Sequence, residues 1–114
     1  MIEIVDVHKS FGTQKVLDGV NLSIGRGETT VIIGRSGGGK STLLRLLIGL
    51  TRPDRGKILV EGEDITRMKG KTLARIRKKF GMLFQYAALF DSMSVFDNVA
   101  FPLVEHTRMS RGEI

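Results

Sequence analysis

A glycine-rich stretch in the first half of the sequence constrains the fold of this chain more than any other feature. Eight consecutive residues match the phosphate-binding pattern G-x-x-x-x-G-K-[ST]: Gly34, Arg35, Ser36, Gly37, Gly38, Gly39, Lys40 and Ser41. The β-branched run 30–33 before them predicts a short buried strand, and the leucine-rich run 43–48 after them predicts a helix that begins near Lys40. The order strand, glycine loop, helix is the one that phosphate binding requires.

Each residue type in this loop has a chemical reason to be there. Glycines let the backbone approach a phosphate closely, so that successive N–H groups point at its oxygens. The helix that follows adds its unpaired N-terminal N–H groups and the positive end of its dipole. Lys40 supplies a full charge for the outer phosphates, the Ser41 hydroxyl is a hard ligand for Mg²⁺, and Thr42 adds a hydroxyl near the inner phosphate. The loop is therefore expected to hold a nucleotide together with Mg²⁺.

Two other interpretations of the loop fit less well. A plain turn that caps a core helix does not need four glycines, a lysine and two hydroxyls at this spacing. A dinucleotide-binding fingerprint needs a third small residue in G-x-G-x-x-G, and this residue is missing after both Gly25 and Gly37.

Length and composition exclude several classes of protein. The 114 residues suffice for at most one domain, which is small for a nucleotide-binding α/β unit. No apolar run approaches the length that spans a membrane, and the acidic residue at position 3 argues against a secretion signal. With no cysteine there is no disulfide and no thiolate zinc site, which fits a cytosolic protein.

Much of the net charge of +6 lies in the segment 67–79, which holds seven of the 18 basic residues. Leu73, Ile76 and Phe80 recur there at helical spacing, which is typical of a surface helix with a solvated charged face. Contact with anionic lipid headgroups or with nucleic acid stays open. Few aromatic residues interleave with these charges, which weakens the case for nucleic acid.

The remaining signals predict short strands and turns around the loop. The stretches 2–7 and 16–24 are expected to form an antiparallel pair joined by the turn 11–14. A turn at 51–56 leads to a further strand at 57–60. The apolar run 81–84 predicts a buried parallel strand that ends at Gln85.

Two capping-box patterns predict helix starts near the end of the sequence. Ser94 and Asp97 form the first, and Pro102 is expected to kink or interrupt the helix that follows. Ser110 and Glu113 form the second, one residue before the sequence stops. Because a helix without a body is unstable, we expect a truncated sequence, whether by deliberate shortening, a gene-model error or a frameshift.

Together these residues resemble the ATP-binding subunit of an ABC transporter. The resemblance rests on the turn bearing Phe11, the loop 34–41, the turn 52–58 and the segment 81–85. It implies an α/β fold: a P-loop NTPase core with an N-terminal antiparallel β subdomain, truncated before the signature and Walker B motifs. Residues 1–114 would then be the N-terminal part of a single nucleotide-binding domain.

The resemblance also implies roles for single residues, with ATP and Mg²⁺ as cofactors. Phe11 would stack on the adenine, although a place in the core stays open for it. Gln85 matches the Q-loop glutamine, whose amide reaches Mg²⁺ or the attacking water. Phosphates would be bound by the loop, with Ser41 and Gln85 as the ligands of Mg²⁺.

The segment 87–103 is more specifically similar to the ATPase of Mla-type phospholipid transporters. That similarity implies a membrane permease, a second copy of the ATPase subunit and an Mce-type substrate-binding protein as partners, with nucleic acid unlikely. It places the protein in the cytoplasm, peripheral on the inner membrane.

The family's L-S-G-G-Q signature, Walker B acids and switch histidine are not found in these 114 residues. Without the Walker B glutamate no base aligns the water, so we expect the chain by itself to bind ATP without hydrolysing it. His8 and His106 are poor substitutes and are expected at the surface. Two further hypotheses are a non-transport ABC ATPase that acts on nucleic acid or ribosomes, and an inactive truncated fragment.

Overall fold

The computed structural model describes residues 1–35, 37–84 and 88–114. These residues fall into two units, Met1–Gly81 and Met82–Ile114. In the part of the chain that is described, no helix has both the length and the apolar character needed to cross a bilayer.

The first unit is built on a four-stranded antiparallel sheet with the order β2-β1-β3-β4. Its strands are β1 (Ile2–Phe11), β2 (Gln14–Ile24), β3 (Arg55–Val60) and β4 (Glu63–Asp64). β1 and β2 pair along their full length, from Ile2 opposite Ile24 to Phe11 opposite Gln14. The predicted antiparallel hairpin and the predicted strand after the turn at 51–56 are confirmed.

Two helices cover this sheet. They are α1 (Lys40–Leu47) and α2 (Gly70–Arg77). Both predicted helices are confirmed, and α1 begins at Lys40. The apolar positions of the strands and helices meet in one core, whose most buried members are Val7, Leu46, Ile58 and Ile76.

A β-bulge interrupts β1 between Ile4 and Val7. At its centre Asp6 has a φ of 47°, and its N–H donates to Asn21 Oδ1 at 2.9 Å. Gly56 packs directly on this bulge, since a Cβ at Gly56 would lie 2.1 Å from the Asp6 carbonyl oxygen. Only glycine therefore lets the start of β3 approach β1 so closely.

His8, which was expected at the surface, lies next to this bulge. Its Nε2 lies 3.0 Å from Asp6 Oδ1 and its Nδ1 lies 3.3 Å from Asp18 Oδ1, and the side chain is only 29% exposed. His8 is thus a partly buried member of the sheet, whereas His106 is exposed as expected.

The two predicted buried strands at 30–33 and 81–84 are wrong. Both runs lack strand structure, and Val31, Ile33 and Leu83 are 75%, 91% and 88% exposed. A buried parallel strand takes its hydrogen bonds and its cover from neighbouring strands. No described segment pairs with either run, so the apolar sequence alone does not make them strands.

The second unit contains one helix, α3 (Val95–His106), in its described residues. Ser94 caps it as predicted, because its Oγ accepts the Asp97 N–H at 3.0 Å. The helix continues beyond Pro102 to His106. Of the two predicted effects of Pro102, a kink or an interruption, the interruption is therefore not found. Asn98 ties the preceding loop to the helix: its Oδ1 accepts the Phe90 N–H at 2.9 Å, and its Nδ2 donates to the Ser94 carbonyl at 2.9 Å.

The second capping box closes on itself as the sequence pattern indicates. Ser110 N–H donates to Glu113 Oε1 at 3.2 Å, and Glu113 N–H donates to Ser110 Oγ at 3.3 Å. The backbone N–H of Ser110, and then its hydroxyl, stabilise the Glu113 carboxylate and lower its pKa. A single turn follows, in which Ile114 N–H donates to the Ser110 carbonyl at 3.1 Å.

Candidate nucleotide-binding site

Glycines make the tight curvature of the loop possible. Gly37 and Gly39 have φ angles of 80° and 95°, in the left-handed region that side chains rarely adopt. The Gly38 N–H donates to the Arg35 carbonyl at 2.9 Å, and a Cβ on Gly38 would lie 2.9 Å from that same oxygen. Ser36 lies outside the described residues.

Lys40 folds back across the loop from the first position of α1. Its Nζ donates to the carbonyl oxygen of Gly34. A Cβ at Gly34 would lie 3.6 Å from Lys40 Cδ, so the lysine stem runs close over this glycine. The arrangement holds a full positive charge beside the backbone of the loop, where a phosphate group would meet it.

The N-terminus of α1 is suited to an anion. No side chain caps it, and no acidic residue lies in its first turn. The Gly39 carbonyl accepts the Leu43 N–H at 2.9 Å, which closes the first helical turn. The hydroxyl-bearing residues Ser41 and Thr42 lie in this turn, exposed and half-buried respectively. Backbone donors, the helix dipole and two hydroxyls therefore meet at one end of the helix.

The hairpin of β1 and β2 lies against the end of the loop. A Cβ at Gly39 would be 3.0 Å from both Val16 Cγ1 and Leu17 Cδ2. Both contacts come from the start of β2, whose first residue Gln14 pairs with Phe11. Phe11 is thus carried on the strand pair that the loop touches.

Phe11 is not a core residue, since it is 54% exposed. Its ring lies under the Lys9 ammonium, with 5.4 Å between Nζ and the ring centroid. Sequence reasoning missed Lys9, although the period of two along a strand places residues 9 and 11 on one face. An exposed ring beside a cation offers a flat surface to an electron-rich base.

The described residues suit Mg²⁺ in one respect only. No group of three or more His, Asp or Glu side chains among them could hold a metal ion. Mg²⁺, however, is commonly bound by one or two protein oxygens together with substrate phosphates and water. The Ser41 hydroxyl fits that pattern. Gln85 lies outside the described residues, and its role as a ligand stays a prediction.

Comparison with known proteins identifies the family. The sequence model of the protein family "ABC transporter" matches residues 17–113, which is most of the chain. This chain belongs to the ABC transporter family. The resemblance predicted from the motifs is thereby confirmed.

Curated relatives are similar along nearly the whole of this ABC transporter chain. The probable ribonucleotide transport ATP-binding protein mkl of Mycobacterium leprae is 50% identical over 113 residues, which are 99% of this chain and 33% of that protein. The intermembrane phospholipid transport system ATP-binding protein MlaF of Escherichia coli K12 is 47% identical over 109 residues, 96% of this chain and 40% of that protein. The chain thus spans a third to two fifths of these relatives.

Solved structures confirm the predicted fold class. The dimeric structure of MJ0796, described as a bacterial ABC transporter cassette, aligns with a TM-score of 0.91 at 32% identity. The alignment covers 99% of this chain and 52% of that one. A second structure, of a post-hydrolysis state of the same cassette bound to ADP and Pi, aligns with a TM-score of 0.89. The fold is that of about half of a cassette.

Proposed function

We propose that this chain belongs to the ATP-binding component of an ABC transporter and that residues 34–42 bind the phosphates of Mg-ATP. One observation carries the proposal: the Lys40 ammonium lies across a loop of glycines, on the carbonyl of Gly34. A lysine held in this way can exchange a carbonyl oxygen for a phosphate oxygen with little movement. The backbone N–H groups at the start of α1 add donors at the same end of the helix.

The Ser41 hydroxyl completes the phosphate end of the site as a ligand for Mg²⁺, and the metal neutralises charge on the phosphate oxygens. At the other end the exposed ring of Phe11 takes the adenine. Its partner Lys9, 5.4 Å from the ring centroid, adds positive charge near the base. Gln85 would position Mg²⁺ or the attacking water.

Hydrolysis is proposed for the assembled transporter and not for the 114-residue chain. The 114 residues contain no Walker B acids and no signature motif. A second ATPase subunit would supply the signature motif, a view supported by the dimeric state of the neighbouring MJ0796 cassette. The chain by itself would bind ATP without sustained turnover.

We further propose phospholipid as the cargo. The support is the 45–47% identity to MlaF proteins named for intermembrane phospholipid transport, together with the segment 87–103. A membrane permease and an Mce-type substrate-binding protein would be the partners. The protein would then lie at the cytoplasmic face of the inner membrane.

A second candidate cargo is a ribonucleotide, because the mycobacterial relatives at 50% identity carry that name. Vesicles that hold the assembled transporter distinguish the two. ATP-dependent movement of labelled phospholipid, with no movement of labelled ribonucleotide, supports the lipid assignment, and the reverse result supports the second candidate.

Action on nucleic acid is less well supported, because the chain itself uses several cations of the basic segment. Arg75 forms a two-point ion pair with Glu63 at 2.8 and 3.2 Å, and Lys79 lies 2.8 Å from Glu61. Arg77 donates to the backbone carbonyls of residues 48 and 49 at 2.8 and 3.0 Å. These bonds favour the interpretation of α2 as a helix with a solvated face.

Calorimetric titration with Mg-ATP tests the proposed function. Lys40→Ala is expected to weaken the binding of Mg-ATP roughly ten- to a hundredfold. This loss of affinity corresponds to the free energy of one hydrogen bond to a charged group. Lys71→Ala, which removes an exposed lysine from α2, serves as the matched control and should leave the affinity unchanged. Equal affinity in the two variants would refute the assignment of the loop.

A further inference from the structure

A basic pocket lies on the first unit, formed by residues that are not part of the candidate nucleotide site. It has a volume of about 600 Å³, and its walls are residues 52–56 and 66–67. Three arginines line it: Arg52, Arg55 and Arg67. They come from the turn after α1, from the start of β3 and from the segment after β4.

The one carboxylate in this pocket, on Asp54, already has partners elsewhere. Its Oδ2 accepts the Ser10 N–H at 2.7 Å, and its Oδ1 lies 3.5 Å from Lys9 Nζ. The charge of Asp54 is therefore largely balanced by β1 and does not neutralise the arginines.

The arginines themselves have little compensation. Arg55 Nε lies 3.9 Å from Asp6 Oδ2, at the outer limit of an ion pair. Arg52 donates only a long hydrogen bond of 3.4 Å to the Met68 carbonyl. Within the described residues, no ion pair involves Arg52 or Arg67. Arg52 and Arg67 thus have no carboxylate partner among the described residues, and all three arginines are exposed, so their guanidinium groups are accessible to an anion in the pocket.

The walls of the pocket are held by the sheet. The Asp54 N–H donates to the His8 carbonyl at 2.8 Å, and Lys9 Nζ donates to the Arg52 carbonyl at 2.8 Å. Thr66 also lines the pocket, and its hydroxyl accepts the Ile58 N–H at 3.0 Å. The backbones that carry the guanidinium groups are thus fixed before a ligand binds, which lowers the entropic cost of binding.

We propose that this pocket binds an anion that carries phosphate groups, in addition to the nucleotide of the loop. The planar fork of arginine matches two oxygens of a phosphate, and three forks around one space suit a ligand with more than one such group or with a bulky substituent. Two sources share this chemistry: a soluble phosphorylated small molecule and the headgroup of an anionic phospholipid.

Titration of the isotope-labelled protein with inorganic pyrophosphate, followed by amide NMR, tests the proposal. All proteins in this test carry Lys40→Ala, so that the phosphate loop contributes little to the binding of pyrophosphate. We expect saturable shifts at residues 52–56 and 66–67, and we expect the further double change Arg52→Ala with Arg67→Ala to weaken binding at least tenfold. Arg108→Ala, which removes an exposed arginine of the second unit, is the matched control and should have no effect.

A second arm separates the two sources of phosphate. Sedimentation is measured with vesicles of phosphatidylcholine, with and without phosphatidic acid. If the protein binds the acidic vesicles and the double variant abolishes that binding, the ligand is a lipid headgroup. If the protein binds pyrophosphate but not the vesicles, the ligand is soluble. Both results support the proposed pocket. The proposal is overturned if neither probe binds there, or if the double variant binds as tightly as its background.

Discussion

At the scale of single residues, the site rests on a few side chains whose environment is specific. Lys40 lies on the Gly34 carbonyl, and Phe11 is an exposed ring under Lys9. In the proposed site the two ends of a nucleotide would make separate demands on them, since phosphates need charge and donors whereas a base needs a flat apolar surface. Their contributions can therefore be measured separately.

Phe11→Ala is expected to weaken Mg-ATP binding about fivefold to a hundredfold, the range for stacking of a base on an aromatic ring. Phe11→Tyr keeps the ring face and should retain the affinity. Calorimetry with ATP and with inorganic tripolyphosphate makes the test specific. Because tripolyphosphate has no base, its affinity should not change in Phe11→Ala, and an equal loss for both ligands would argue against stacking.

Gly56→Ala is expected to destabilise the first unit by about 2 kcal/mol or more. The added Cβ would lie 2.1 Å from the Asp6 carbonyl oxygen, at a φ of 90°. Gly62→Ala is the matched control: its φ is 82°, but a Cβ there meets nothing within 4 Å, so it bears only the backbone cost. Denaturant unfolding measures both, and equal losses would show that the contact with the bulge is unimportant.

At the scale of elements, two ion pairs connect β4 and the turn before it to α2 and the residues after it. Glu63 of β4 pairs with Arg75 of α2, and Glu61 pairs with Lys79, two residues beyond the end of α2. The Lys79 side chain hydrogen-bonds Glu61 and lowers the pKa of that carboxyl, and Arg75 does the same to the pKa of Glu63. Both pairs are exposed, and salt screens such interactions. They therefore orient α2 more than they stabilise it.

These pairs give a pH dependence of known sign. Folding lowers the pKa values of both Glu61 and Glu63. The small contribution of the two ion pairs to stability is therefore present at pH values above the ordinary pKa of a glutamate, and it is lost as the pH falls through the lowered pKa values. Glu63→Gln should flatten the acid limb of a plot of unfolding free energy against pH, because it removes a carboxyl whose pKa folding lowers. A steeper acid limb in Glu63→Gln would contradict the sign.

Local signals are enough to predict many of these elements, but not those that depend on distant partners. Ser94 and Asp97 lie within one turn of each other, so their hydrogen bond follows from nearby sequence, and the start of α1 at Lys40 follows equally from the glycines before it. The strand predictions for 30–33 and 81–84 are wrong because a strand also needs a neighbour. The arginine pocket was missed because positions 52, 55 and 67 meet only through the pairing of β3 with β4.

At the scale of the whole molecule, the chain spans a third to two fifths of its curated relatives. Membership of the ABC transporter family therefore says more about the fold and the phosphate loop than about catalysis. In the proposed function, binding of ATP uses only elements that the chain contains, whereas hydrolysis also requires a base and a signature motif. The two activities should separate in experiment.

The purified 114-residue chain is expected to bind Mg-ATP and to release no phosphate beyond background. A coupled phosphate assay at saturating ATP measures this, with Lys40→Ala as the control for contaminating enzymes. Sustained release that Lys40→Ala removes would show that the chain is catalytically sufficient, and binding and hydrolysis would then not separate.

Amide NMR of the labelled chain, titrated with Mg-ATP, tests most directly whether residues 34–42 hold the phosphates of ATP. The largest saturable shifts are expected at Gly34, at the glycines 37–39 and at residues 40–42, with a further set around Phe11. In Lys40→Ala the same residues should respond only at much higher concentrations. Saturable shifts located elsewhere, with the loop unchanged, would contradict the assignment of the phosphates to this loop.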